Sequence, residues 1–276
     1  MIDCDIAFVG SGNMCRSLVG GLVSGGCLAE RIRVSDPDVS QTQAVAQQFG
    51  VRTFQDNEAA VRGAKVVVFA VKPQVFQDAA ATLGPLLLSQ ETLIVSIAAG
   101  IREPDIRHWV GGEIAIVRTM PNTPALVQSG ATALFANQLV SQDQRDLAES
   151  ILRAVGLTVW LDDEQQIDAV TALSGSGPAY FFLVMEAMEN AGKKMGLPEE
   201  TARLLTLQTA FGAAKLALES HEDAGVLRKR VTSPGGTTER AVGILTDGGL
   251  EELFLSALQG ARQRSIELAA AFGREA

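Results

Sequence analysis

The feature that most constrains this chain is a change of texture near residue 163. Before it, short β-type runs alternate with amphipathic helical stretches. The strand candidates are 6–10, 32–35, 66–71, 92–97, 114–119, 131–135 and 157–161, with helical stretches such as 14–23, 41–49 and 144–154 between them. The first and third, 6–10 and 66–71, are continuously apolar, as expected of parallel strands covered on both faces. Regular alternation of this kind predicts an α/β unit, a doubly wound open sheet over residues 1–163.

After that point β-branched runs stop, and long patterns rich in Ala, Leu, Met and Glu take over. They predict helices over 165–173, 178–195, 198–219 and 250–272, so residues 164–276 read as an all-α domain. Pro178 and Pro198 suit the first turn of a helix, where the missing N–H costs nothing. The stretch 180–188 is apolar almost all round, and such a helix must be buried on every side. A helical domain this small buries it better against a second copy, which predicts an obligate homodimer. The alternative is a helix at the centre of a monomeric bundle.

Composition narrows the function classes. The 276 residues are 47% hydrophobic and 20% charged, enough apolar material for a sizeable core. A formal charge of -9 repels phosphate backbones and anionic lipid, so no nucleic-acid or membrane partner is expected. Cys4, Cys15 and Cys27 form no CxxC pair, and their odd number predicts neither a disulfide framework nor a zinc site. There is no basic start followed by a long apolar stretch, and no uninterrupted apolar run near the ~18 residues of a membrane helix. These readings predict a cytoplasmic protein.

The first strand runs into Gly10-Ser11-Gly12-Asn13-Met14-Cys15, and a helix follows. This is the GxGxx(G/A) turn of a Rossmann-type dinucleotide site, with a small Cys15 third. Gly10 permits the tight turn, Gly12 lets backbone approach a pyrophosphate, and the helix N-terminus favours the phosphate charge. The alternative is a glycine turn without a ligand. At the end of the second strand are Arg33-Val34-Ser35-Asp36-Pro37. Asp36 lies near the place where an acid bonds the ribose 2′-OH, and its charge would repel a 2′-phosphate. Arg33, Ser35 and Ser40 are candidates to offset it, so NADH and NADPH both stay open. The plainer reading makes Asp36 a turn residue before Pro37.

Further segments narrow the class. Ala70-Val71-Lys72-Pro73, Ser96-Ile97-Ala98-Ala99-Gly100 and Met120-Pro121-Asn122-Thr123 each follow a strand candidate, where open sheets bind ligands. Lys72 brings a positive charge there, and small Ala98 and Ala99 leave room for a flat ring. The helical half holds Leu173-Ser174-Gly175-Ser176-Gly177-Pro178 and Ser233-Pro234-Gly235-Gly236-Thr237-Thr238. Together, and in this order over nearly the whole chain, these segments resemble the pyrroline-5-carboxylate reductases. The resemblance implies reduction of 1-pyrroline-5-carboxylate to L-proline by a hydride from NADPH or NADH. It implies that 70–73 and Pro121-Asn122 line the nicotinamide ribose, that Ser96, Ala98 and Ala99 line the nicotinamide, and that Asn57 contacts the adenosine side. It also implies a substrate site near a dimer interface, and often a larger ring of dimers. One departure is Ala224, where the family often has proline before Gly225.

A protonated imine is already electrophilic, so no strong acid is needed. The requirement is to hold its carbon within ~3–3.5 Å of the hydride donor and to bind its carboxylate. Ser233, Gly235, Gly236, Thr237 and Thr238 precede a helical pattern and suit an amide cradle for that carboxylate. The Thr238 hydroxyl, the candidate catalytic group, can donate or accept at the ring nitrogen. Ser174, Gly175 and Ser176 are candidates for the floor of the same pocket. The bland reading is that the hydroxyls only cap the helix. His108 and His221 read as structural and solvated. A β-hydroxyacid dehydrogenase would need a catalytic lysine after the first glycine-rich turn, and the stretch 178–183 has none. A non-enzymatic NAD(P) sensor would need no substrate loop.

Overall fold

The computed structural model describes residues 2 and 4–274. Its contacts divide it into two compact units: Met1–Ser176 with Gly260–Ala276, and Gly177–Gln259.

The first unit is an eight-stranded sheet. Its strands are β1 (Ile6–Val9), β2 (Ile32–Ser35), β3 (Arg52–Phe54), β4 (Val66–Phe69), β5 (Leu93–Ser96), β6 (Ile116–Met120), β7 (Gly130–Ala136) and β8 (Gly156–Trp160). The order is β3-β2-β1-β4-β5-β6-β7-β8, and every pairing is parallel except β6 with β7. The doubly wound sheet expected from the alternation is therefore present. Side chains of β1 divide between two cores. Ile6 and Phe8 pack with Leu18, Val45 and Ile151 of α1 (Asn13–Ser24), α2 (Val39–Phe49) and α6 (Gln142–Arg153). Ala7 and Val9 pack with Val61, Phe76, Leu83 and Ile106 of α3 (Asn57–Val61), α4 (Phe76–Ser89) and α5 (Glu103–Val110) on the other face. Burial on both faces is why the strand carries no polar alternation.

Two local features depart from the sequence reading. The three-residue edge strand β3 was not foreseen. Its Arg52 is exposed and its other residues are half-buried, so no apolar run announces it. The helix expected over 165–173 is regular only as α7 (Gln166–Val170) and then widens into a π turn, Thr171–Gly175. The Thr171 hydroxyl donates to the Ile167 carbonyl at 2.8 Å, and Ser176 N–H reaches back five residues to the Thr171 carbonyl at 2.9 Å. Such widened turns are uncommon and gather at functional sites.

A buried charge network ties this segment to the sheet. Arg118 of β6, 1% exposed, donates to Glu164 at 2.9 Å, and Glu164 also accepts from the Glu103 N–H at 2.7 Å. Arg102 pairs with the buried Asp168 at 3.2 Å, and Asp168 accepts from Ser265 at 2.7 Å. Ser265 belongs to α12 (Leu250–Arg274), whose last turns thus belong to the first unit. Burial pulls the Arg118 pKa down, and the Glu164 carboxylate opposes that pull.

The second unit contains α8 (Gly177–Lys194), α9 (Glu199–Glu219), α10 (Ala224–Arg230), α11 (Thr237–Asp247) and the start of α12. Gly192 lets α8 approach α9: a Cβ there would lie 3.3 Å from that of Ala202. Between them these two helices bury only Gly177, Gly192, Ala202 and Thr206. Phe181, Phe182, Leu183, Leu205, Phe211 and Leu253 are all more than half exposed. The helix over 180–188 is therefore not the centre of a monomeric bundle. Its apolar surface is bare in the single chain, a state that a partner must relieve. The stretch Gln166–Lys194 is, among the described residues, long and apolar enough to cross a membrane, with mean hydropathy 1.2. A helix that pairs with a second copy has the same composition.

The contact between α4 and α5 runs through Gly84, where an added Cβ would lie 2.2 Å from the Val110 carbonyl oxygen. Gly84→Ala should cost about 1–3 kcal/mol by overpacking. Denaturant unfolding checks this, and an unchanged midpoint would mean that the two helices can separate freely.

Candidate nucleotide site and substrate loops

Parallel register brings the ends of β1, β4, β5 and β6 side by side, with Val9 opposite Phe69, Phe69 opposite Ser96 and Ser96 opposite Arg118. The loops expected to bind a nucleotide all leave from this edge. Gly10 has φ +99°, and a Cβ there would sit 2.7 Å from the Ala70 carbonyl oxygen, so only glycine fits. Gly10 N–H donates to Ser35 O and Ala70 N–H to Val9 O, both at 2.8 Å.

Gly12 is the N-cap of α1. No side chain caps this end, no acid occupies its first turn, and the space beside Gly12 is open. The first N–H groups of α1 therefore lack a capping side chain, which is the fit a pyrophosphate requires. Asn13 is exposed and Met14 half-buried beside it. Cys15 is fully buried, and burial pushes its thiol pKa up strongly.

Asp36 is half-buried at the end of β2. Its Oδ2 accepts from the Ser11 N–H at 2.9 Å and the Ser11 hydroxyl at 2.8 Å, and its Oδ1 accepts from Asp38 N–H at 2.9 Å. It is more than a turn residue, since it holds the glycine loop. Ser11 and Ser35 are fully buried, and Ser35 donates to the Phe8 carbonyl at 3.3 Å. Asn57 is half-buried at the start of α3, just after the N-cap Asp56.

Along the edge, Lys72 is exposed and precedes the 3₁₀ turn Pro73–Val75. Ala70, Val71 and Pro73 are half-buried, and Ala99 is exposed. Ser96 and Ala98 are buried, and Ser96 Oγ accepts from Ala98 N–H at 3.4 Å. Pro121 is buried. Asn122 uses both ends of its amide inside the protein. Its Oδ1 accepts from Ala131 N–H at 2.9 Å, and its Nδ2 donates to the Ser174 carbonyl and hydroxyl, each at 3.2 Å. Asn122 thus joins the end of β6 to the π turn. Gly175 in that turn lies against Met120, whose Cε would be 2.5 Å from an added Cβ.

In the second unit, Gly236 is the N-cap of α11, and no side chain caps that end. Capping is therefore not what Ser233, Thr237 and Thr238 do here. Their hydroxyls have no hydrogen bond among the described residues, and Thr238 is half-buried. Gly235 has φ +69°. Its N–H donates to Glu239 Oε2 at 2.7 Å, and Gly236 N–H donates to Ser233 O at 3.0 Å. The sequence reading did not foresee that Glu239 reaches into the glycine loop. An acid three residues past an N-cap was the available signal.

A cavity of about 540 Å³ lies elsewhere, lined among others by Cys4, Gly25, Cys27 and Arg153. It is bordered by the segment before β1 and the end of α1, and none of the candidate cofactor or substrate residues lines it.

A mostly parallel sheet, a glycine turn and a bare helix N-terminus at the carboxyl edge define a Rossmann-type dinucleotide-binding protein. The chain is 52% identical over 269 residues to a pyrroline-5-carboxylate reductase of Pseudomonas aeruginosa, covering 98% of each. The chain belongs to the pyrroline-5-carboxylate reductase family. The family model "Pyrroline-5-carboxylate reductase dimerisation" matches residues 164–268, and "NADP oxidoreductase coenzyme F420-dependent" matches residues 5–100. A pyrroline-5-carboxylate reductase structure from Coxiella burnetii superposes with TM-score 0.93 at 48% identity, over 96% of this chain and 98% of that one. The pyrroline carboxylate reductase of Plasmodium falciparum, solved with NADP bound, superposes with TM-score 0.86 at 28% identity, over 98% and 99%.

Asn122→Ala leaves the Ala131 N–H and the Ser174 backbone without their partner. It should lower stability by about 1–3 kcal/mol in denaturant unfolding. Unchanged stability with weakened cofactor binding would instead make Asn122 a cofactor ligand only.

Proposed function

We propose that the chain reduces 1-pyrroline-5-carboxylate to L-proline, the last step of proline biosynthesis, using NADPH or NADH. The observation that carries this is the 52% identity, across nearly the whole chain, to a reductase of that name. The strand-edge geometry supports it.

A reduced nicotinamide supplies the hydride. The bare N-terminus of α1, with Gly10, Ser11, Gly12, Asn13 and Met14, holds the pyrophosphate. Asp36, Ser35 and Asn57 belong to the adenosine side, Ser35 from within the sheet. The backbone of 70–73, together with Pro121 and Asn122, bounds the ribose of the nicotinamide half. Ser96, Ala98 and Ala99 keep the ring's side of the edge narrow and free of bulky groups. Lys72, exposed here, adds positive charge to an otherwise acidic chain.

The substrate carboxylate is held by N–H groups of Gly235 to Thr238, where it replaces the Glu239 carboxylate on Gly235. The Thr238 hydroxyl bonds the ring nitrogen, as acceptor from the iminium N–H and as donor to the new amine. With the nitrogen already protonated, hydride delivery to the carbon gives the neutral ring amine directly, and no acid on the protein is consumed. Ser233 and Thr237 line the cradle, and Ser174, Gly175 and Ser176 shape the pocket floor. The bare apolar faces of α8 and α9 support a homodimer, with a ring of dimers as the larger assembly. The working compartment is the cytoplasm, where thiols stay reduced.

In this mechanism Thr238→Ala lowers kcat for the imine by about 10–100-fold, the worth of one hydrogen bond to a charged group. Cofactor affinity holds. Steady-state kinetics and cofactor titration check both, and full activity in the variant would remove Thr238 from the mechanism.

A further inference from the structure

We infer that Arg16 is a specificity-determining residue, which receives the 2′-phosphate of NADPH beside Asp36. The inference deepens the proposed function and rests on it.

Asp36 presents a difficulty for NADPH. Its carboxylate is fixed by Ser11 and Asp38 at the end of β2, where a 2′-phosphate would meet a negative charge. The residues that looked able to offset it in the sequence are engaged elsewhere. Arg33 pairs with Asp5 and donates to the carbonyls of Ala60 and Arg62. Ser35 is buried and bonded to Phe8. Ser40 donates its hydroxyl to Asp38 at 2.6 Å.

Arg16 is placed differently. It stands in the first turn of α1, half-buried, and its Nη2 donates to Gln41 Oε1 at 2.6 Å in the first turn of α2. Its Nε lies 3.4 Å from the Ser11 carbonyl. Ser11 therefore holds both charges, Asp36 through its N–H and hydroxyl and Arg16 through its carbonyl. The guanidinium spans the gap between the glycine turn and the start of α2, the two segments that flank the end of β2. Both of its acceptors are neutral, and among the described residues no carboxylate pairs with it, although the chain carries a formal charge of -9. Two of five donors are used, and the remaining fork suits a phosphate. Both charges are felt at the buried Cys15 thiol, which Asp36 raises and Arg16 lowers, so they act on one small region.

The test uses the full-length protein and two probes besides the coenzymes, 2′,5′-ADP and 5′-ADP, titrated calorimetrically into wild type, Arg16→Gln and Arg16→Lys. Arg16→Gln should weaken 2′,5′-ADP about 10–100-fold more than 5′-ADP, as loss of a charge-assisted bond predicts. The NADPH-to-NADH ratio of kcat/KM should fall in parallel. Arg16→Lys, which keeps the charge without the fork, should lie between. Equal weakening of both probes in Arg16→Gln and Arg16→Lys, or an unchanged coenzyme ratio, would overturn the assignment. Should wild type bind both probes yet reduce no imine, the proposed function fails, and the two dissociation constants still decide the role of Arg16.

Discussion

The left-handed backbone at Gly10 is the constraint on which the nucleotide edge depends. With φ +99° the chain leaves β1 against the Ala70 carbonyl, in a space that any side chain would fill. That close approach lets Gly10 and Ala70 bond to the ends of β2 and β1. Three strand ends are thereby brought level, and α1 begins there with its N–H groups uncapped. A dinucleotide phosphate is the anion such a place suits. The positions of Asp36, Ser11 and Arg16 follow, because all three are linked through the same turn.

A second set of contacts brings the polypeptide just before the helical part onto this edge. The Arg118–Glu164 pair joins a buried guanidinium to a half-buried carboxylate, which also accepts from the Glu103 N–H, while Asn137 donates to the Glu103 carboxylate. Asp168 and Ser265 bind the last turns of α12 to α7. Asn122 then fixes the π turn that carries Ser174. These polar links set positions that apolar packing alone would leave free to slide. The second unit shows the opposite balance: its helices bury little and display phenylalanines and leucines. A match to a dimerisation model over residues 164–268 accounts for that surface.

Most of the sheet was legible because parallel strands covered on both faces are nearly all apolar, as β1 and β4 are throughout and β5 is up to Ser96. The glycine turn was legible because its spacing is dictated by backbone clearance. β3 was not, since a three-residue edge strand with an exposed Arg52 has no pattern to read. The π turn was hidden because Thr171 reads as an ordinary helical residue until its hydroxyl bonds backward. Arg33 and Ser40 looked like neighbours of a ribose by sequence distance, but their partners Asp5 and Asp38 are tertiary or local choices that spacing does not reveal. Arg16 escaped for the same reason, because its meaning lies in Gln41, 25 residues on.

The central claim is a direct hydride transfer from the nicotinamide to the imine carbon. The most direct measurement is mass spectrometry or NMR of the proline formed with coenzyme carrying deuterium at the transferred position of C4. The account predicts one deuterium, at C5 of proline, for each coenzyme oxidised, in ordinary water. Proline without deuterium, or coenzyme oxidation uncoupled from proline formation, would contradict it.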